Sequence, residues 1–349
     1  MTKTNPGNFF EDFRVGQRIR HATPRTLTGG DAALYTALTG SRFAVQSSDA
    51  FARAVGYERA PLDDLLVFHT VFGKTVPDIS LNAVANLGYA DCVFGAPVYP
   101  GDSLSARSEV IGLRENANGK TGIVYVRTVG ENQRGARVLG YVRWVMVRKR
   151  DASAPAPEAA VPDLPGAVGA GRLAAPAAFD PDGWDDALSG ETWRWGDYAP
   201  GERIDHVDGM TIEEAEHATA TRLYQNTAKV HFNQHTEGGG RFGRRLVYGG
   251  HVMSVARALS FNGLANGFRI AAINGGRHVG PVFAGDTIYA WSEVVERLEM
   301  PGNAALGALR LRTVAAKDTP CAGFPDRDGD GRYPESVVLD LDYTVLIPR

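Results

Sequence analysis

The sequence predicts an α+β protein made of two tandem copies of one unit, each a buried helix wrapped by an antiparallel sheet. Three observations carry that reading. Pro97–Val110 lies over Pro281–Val294, 184 residues further on, with eight of fourteen positions identical, among them Gly101-Asp102 over Gly285-Asp286. Phe13–His21 lies over Tyr198–His206, 185 residues on, so the match holds near both ends of each half and implies two copies of one fold. Between the halves, Asp151–Phe179 is dominated by Ala, Pro and Gly without apolar periodicity, which reads as a linker unable to bury enough surface to offset its own ordering. The chain therefore divides into residues 1–150, a linker over 151–190 and residues 191–349, the second copy beginning near Trp195.

Within the first copy the order is a short strand, a helical region, a longer apolar helix and several long strands. Asp63-Asp64 precede the apolar run Leu65–Phe72, and acidic residues suit the electropositive start of a helix, here a buried one. Runs rich in Val, Tyr and Trp follow at Val98–Ile111, Thr121–Val129 and Val138–Val147. Turn signals separate them at Asn116–Gly119 and Asn132–Gly135, as an antiparallel sheet requires. The second copy repeats the pattern. Near its end, Asp326–Gly331 echoes the start of a calcium loop but has Val337 where the twelfth position needs Glu, so it reads as a polar hairpin loop.

Composition excludes several classes of function. At 349 residues there is room for two sizeable cores, and 44% hydrophobic with 22% charged residues is ordinary globular content. No apolar run approaches the ~20 residues that span a bilayer. A net charge of -3 without a concentrated basic stretch argues against nucleic acid. Met1–Phe13 lacks the basic-then-apolar order of a signal peptide, which points to the cytoplasm. Cys92 and Cys321 are too few for a cysteine zinc site and read as packing residues.

Chemistry concentrates in the second copy, between its two helices: Tyr224-Gln225-Asn226-Thr-Ala-Lys-Val-His231-Phe-Asn233, then Gly243–Ser254 containing Tyr248-Gly249-Gly250-His251. This stretch resembles the (R)-specific enoyl-CoA hydratase, or MaoC-like, family. That family's motif runs Gly-Asp-x-Asn-Pro-x-His, an Asp two residues on, then a turn and a helix opening with His-Gly. The resemblance places His231 on the motif histidine, Asn226 and Asn233 on its two aspartates, Tyr248-Gly249 on His-Gly, and Ser254 on a helix serine. The spacing is kept while two acids have become amides.

Hydration needs a group that takes a proton from water and returns one to carbon, and His has an unperturbed pKa near ~6.5. Backbone N–H groups of Gly249 and Gly250, opening a helix, suit an oxyanion on the thioester oxygen. His231, Asn226, Gly249 and Gly250 are thus the catalytic candidates; Gln225, Asn233, Tyr248, His251 and Ser254 are binding candidates. The bland alternative is a satisfied loop histidine beside an ordinary Gly-Gly turn. Because an amide cannot accept a proton, a carboxylate such as Glu237 is a second candidate for proton transfer. The first copy has Ser41, Gln46, Asp63-Asp64 and His69 at the corresponding positions and has lost the proton-transfer residues. It reads as a structural and binding half.

Longer strings carry a closer resemblance: Asn5–Phe13, Ser47–Gly56, Phe68–Tyr89 and Tyr141–Arg150 are similar to the mesaconyl-CoA hydratase (β-methylmalyl-CoA dehydratase) family over nearly the whole chain. That resemblance implies a double hotdog fold. It also implies a hydro-lyase interconverting mesaconyl-CoA and β-methylmalyl-CoA in the ethylmalonyl-CoA pathway, with an acyl-CoA thioester as partner and no cofactor. A homo-oligomer, perhaps a homodimer, is the expected assembly. A dicarboxylic acyl group calls for a cation, ideally Arg. Arg42, Arg244, Arg245 and Arg277 are the candidates, although each is more often a surface residue. The alternatives are a hotdog acyl-CoA thioesterase and a non-catalytic acyl-CoA binder.

Overall fold

A computed structural model describes residues 3–349. The first copy comprises β1 (Arg18–Thr26), α1 (Gly29–Thr39), α2 (Ala44–Ser47), α3 (Asp49–Ala54) and α4 (Asp64–Thr75). It continues with β2 (Ala83–Phe94), β3 (Ser103–Glu115), β4 (Thr121–Glu131) and β5 (Arg137–Arg148). After α5 (Asp186–Ser189) in the linker, the second copy repeats this order. It has β6 (Arg203–Thr211), α6 (Glu214–Leu223), α7 (Gln234–Gly238), α8 (Gly249–Leu259), α9 (Phe261–Leu264), β7 (Arg269–His278), β8 (Thr287–Glu299), β9 (Leu306–Lys317) and β10 (Val337–Pro348).

The strands form one antiparallel sheet in the order β1-β3-β4-β5-β2-β7-β10-β9-β8-β6, whose two halves are mirror repeats joined where Cys92 and Val93 pair with Ile273 and Ala272. The sheet wraps both central helices. Leu65, Phe68, Val71 and Phe72 of α4 share one core with Val252, Met253, Val255 and Leu259 of α8. Asp63 caps α4 by accepting the Leu65 N–H at 2.8 Å, and every residue from Leu65 to Thr75 is buried, the polar His69, Thr70, Lys74 and Thr75 included.

Two strands escaped the sequence reading. In β2 (AVANLGYADCVF), Ala, Asn, Gly and Asp are poor strand formers, and β7 (RIAAINGGRH) has the same fault. Both lie at the centre of the sheet, where pairing on each side overrides weak propensity.

The linker also differs from expectation: it packs. Ala160 and Leu113 exchange backbone hydrogen bonds of 2.9 and 2.8 Å, the Val168 N–H donates to Asn274 Oδ1 at 2.9 Å, and Trp184 sits edge-on to Phe51 at 5.1 Å. Gly56 at φ +94° admits it, since a Cβ there would lie 1.7 Å from the Ala178 carbonyl oxygen. A few large side chains seat in preformed contacts, and proline has already lowered the entropy to be lost. Cys92 and Cys321 are buried free thiols. The Asp326 loop joins β9 to β10, and its carboxylate pairs with Arg312.

Candidate active site

The loop after α6 turns on Gln225, whose φ of +53° lies in the left-handed region, and this reversal brings Asn226 inward. Asn226 is buried, and its Oδ1 accepts the Ala228 N–H at 3.0 Å. That bond fixes the amide's orientation and leaves Nδ2 as the group free to donate. A single helical turn, Lys229–His231, then carries His231 to the wall of a cavity of about 720 Å³. Both copies build this cavity: α4, β2 and β5 on one side, the Asn226 loop, α8 and β7 on the other.

His231 Nδ1 lies 3.0 Å from the Leu246 carbonyl oxygen. A carbonyl only accepts, so Nδ1 carries the hydrogen and Nε2 keeps its lone pair. The surface that His231 exposes is the surface it offers to the cavity, and burial pushes its pKa down to about 4, away from the ordinary value near ~6.5. At neutral pH it is therefore an uncharged base. Its ring packs against Tyr248 with centroids 5.5 Å apart.

Gly249 opens α8 on the cavity wall, and its N–H, at the first position of a helix, has no protein partner among the described residues. Glycine is required there by close approach: a Cβ would lie 2.5 Å from His278 Nδ1. Gly250 stands one step back, where a Cβ would meet Tyr248 and His69 at 2.4 and 2.6 Å, and it does not line the cavity.

The structure thus brings together His231, Asn226, Gly249 and Tyr248. Other candidates fall elsewhere. Gln225 faces solvent, and Asn233 caps α7 by accepting the Thr236 N–H at 3.1 Å. His251 is buried off the cavity. Ser254 lies between the two copies, bonded to His69 Nε2 at 3.0 Å and to the Tyr35 hydroxyl at 2.9 Å.

None of the four nominated arginines reaches the cavity. Arg42 lies over Phe261, Arg244 over Phe283, and Arg245 pairs with Glu214. Arg277 is exposed on β7, one residue from His278, and alternation along a strand sends the two to opposite faces.

The sequence reading missed Arg143, His278 and Tyr89. His278 lines the cavity, shares a 3.2 Å hydrogen bond with the Tyr89 hydroxyl, and is likewise held down to about 4 by burial. It escaped notice because β7 did. Arg143 stood inside a family-like string, yet it falls on the inward parity of β5 with Leu139, Tyr141, Val145 and Val147, a charge on a buried face. That was a readable signal. Glu237 supplies the cavity's only carboxylate among the described residues, against Arg143, Arg148 and Lys229.

The counterpart in the first copy is closed. Gln46, at the position of His231, donates to the Phe268 carbonyl at 2.8 Å, and the space among Phe43, Asp63, Asp64, Arg257 and Phe268 is about 10 Å³, barely room for one water. Burial raises both carboxyl groups, Asp64 to about 7.

Among the described residues no helix is long and apolar enough to cross a membrane. Residues 1–322 match the mesaconyl-CoA hydratase family. The chain is 66% identical to the β-methylmalyl-CoA dehydratase of Chloroflexus aurantiacus and 59% identical to the mesaconyl-CoA hydratase of Cereibacter sphaeroides. Each alignment covers 99% of this chain and 99% and 100% of the respective relatives. Among solved structures, a MaoC domain dehydratase of Chloroflexus aurantiacus superimposes with a TM-score of 0.98 at 66% identity, covering 100% of this chain and 99% of that one. A Mycobacterium tuberculosis protein with a double hotdog fold superimposes with a TM-score of 0.76 at 25% identity, over 99% of each chain.

Proposed function

This chain belongs to the mesaconyl-CoA hydratase family, and from that premise we propose that it is a hydro-lyase that reversibly hydrates mesaconyl-CoA to β-methylmalyl-CoA. The observation that carries the proposal into the structure is His231. Its Nε2 lone pair, fixed by the Nδ1 bond to Leu246, is a neutral base on a cavity beside the unpartnered N–H of Gly249.

In the hydration direction His231 Nε2 takes a proton from water as the water oxygen bonds to the β-carbon. The double-bond electrons shift onto the thioester oxygen, where the Gly249 N–H at the helix terminus stabilises the charge. The imidazolium then returns the proton to the α-carbon as the carbonyl re-forms. No electrons are gained or lost, and the steps run backwards in dehydration. Asn226 contributes a donor, Nδ2, because its oxygen is committed to Ala228.

On this reading residues 191–349 carry the catalysis. Residues 1–150 supply the facing wall through Phe72, Asn86, Tyr89 and Arg143, while the first copy's own site is filled. Exposed Arg148 and Lys229 on the cavity rim suit the CoA phosphates. We place the enzyme in the cytoplasm as a homo-oligomer; the outer backbone edges of β1 and β6, which have no neighbouring strand among the described residues, are the surfaces that could pair.

Mass spectrometry after incubation with mesaconyl-CoA tests the activity. The expected product is an intact thioester one water heavier. Release of free CoA would instead make it a thioesterase, and an unchanged ligand would make it a binder.

A further inference from the structure

Arg143 is wholly buried in the middle of β5 and stands on the cavity wall. Its Nη2 donates to Thr75 Oγ1 at 2.8 Å and to Ser80 Oγ at 3.3 Å, and its guanidinium lies 4.2 Å over the ring of Phe72. Among the described residues Nε and Nη1, both buried, have no hydrogen-bond partner. Of the other buried or half-buried cations, Arg269 is answered by Asp64 at 3.7 Å, Lys149 by Glu115 at 2.9 Å and Arg312 by Asp326 and Asp340, while Lys74 donates to the Thr23 carbonyl and Arg257 to the Gly267 carbonyl and the Ser260 hydroxyl. Among the described residues no carboxylate pairs with Arg143, and the ionisable groups that act on it are the phenols of Tyr141, Tyr89 and Tyr248.

A guanidinium cannot shed its proton under protein conditions, and a buried charge with unused donors is costly unless an anion meets it. An anion brought by the ligand would answer those donors. We propose that Arg143 is the residue that binds the free carboxylate of the acyl group, and so selects a dicarboxylic acyl-CoA over a monocarboxylic one. This rests on the substrate reading above and deepens it.

The placement fits the chemistry. Phe72, under the guanidinium, packs on Tyr248 with centroids 5.9 Å apart, and Tyr248 in turn packs on His231. One wall thus leads from the carboxylate site to the base. In mesaconyl-CoA the carbon that receives water also bears the carboxylate. Unpaired, that charge would repel an incoming water oxygen as it gains negative character. Met by the guanidinium's unpartnered N–H groups, it is neutralised where the new bond forms.

The test compares mesaconyl-CoA with 2-methylcrotonyl-CoA of the same double-bond geometry, in which a methyl group replaces the carboxylate. Both Kd and kcat/KM are measured for the wild type, Arg143→Met and Arg143→Lys. We expect Arg143→Met to lose ~10²-fold or more in kcat/KM for mesaconyl-CoA and less than about threefold for the methyl analogue, because a site built for a polar group discriminates strongly only while that partner is present. Arg143→Lys should fall between, keeping the charge without the guanidinium's spread of donors.

Equal losses on both ligands, or an Arg143→Met enzyme still selective for mesaconyl-CoA, would overturn the proposal. Should Arg143→Met fail to fold, Arg143→Lys and the wild-type Kd ratio decide: a wild type that binds the two ligands equally refutes it. A wild type that binds mesaconyl-CoA selectively but does not hydrate it would sink the activity while leaving Arg143 standing.

Discussion

Acidifying the assay from pH 7.5 to 5 separates the His231 of this structure from an ordinary histidine. The pH dependence of kcat/KM reports the ionisations of the free enzyme. With burial holding His231 down to about 4, roughly nine-tenths of it is still the free base at pH 5. A histidine at the unperturbed ~6.5 would be only about 3% free base there, so the two cases differ by ~30-fold in rate at one pH.

The assay is initial-rate hydration of mesaconyl-CoA across pH 4.5 to 8, with enzyme returned to neutral pH afterwards to confirm that activity recovers. Carboxylates ordinarily titrate near ~4 as well, and Glu237 lines the same cavity, so Glu237→Gln is the necessary control. It should keep both the rate and the acid limb, whereas His231→Ala should lose ~10²- to 10⁴-fold. Half-maximal activity near pH 6.5 in the wild type would refute the desolvated base. Loss of the acid limb in Glu237→Gln would transfer the role to the carboxylate.

Asn226→Asp tests why an amide stands at this position: one oxygen can still accept the Ala228 N–H, but the other would present an acceptor where Nδ2 now donates. We expect kcat/KM for mesaconyl-CoA to fall by ~10-fold or more through like-charge repulsion with the dicarboxylic substrate, and a rate at or above wild type would contradict this. Acid stability follows from the other histidines. Burial depresses His69, His206, His217 and His251 as well as His231 and His278, so the native state leaves neutral what the unfolded chain protonates below ~6.5. The stability they contribute is present above ~6.5 and is lost as pH falls toward 4. Asp63, Asp64 and Glu191, whose pKa values burial raises, act in the opposite sense but are fewer. Tm measured by circular dichroism should drop steeply between pH 6.5 and 4, and a flat or rising Tm would show that these imidazoles ionise freely in the fold.

Much of the architecture was legible because the chain states it twice. The Gly-Asp turns at 101 and 285 and the histidines at 21 and 206 each mark a position in the repeat, and the structure places each pair at matching points of the two copies. The two central strands were hidden because their stability comes from neighbours on both sides, which local composition does not record.

At the site, the motif spacing carried His231, Asn226 and Gly249 to the cavity, all three lying in the one stretch of the second copy that runs from the end of α6 to the start of α8. The cations followed no such spacing. Arg42, Arg244, Arg245 and Arg277 were chosen as lying near the loops or the inner strand, and none of them lines the cavity, whereas Arg143, of the first copy, meets it only through the three-dimensional arrangement. Its position on the inward parity of β5 was the clue.

The hydrogen bond between His69 and Ser254 reaches beyond the site. These two residues occupy one and the same position of the repeat, 185 residues apart, on α4 and α8. Were two identical units to associate here, like would face like, histidine against histidine or serine against serine. The pair seen in this chain can form only between unlike units, with the Tyr35 hydroxyl completing it from the first copy. It therefore acts as an address label during assembly, favouring the pairing of a chain's own two halves over an exchange in which equivalent halves of neighbouring chains meet.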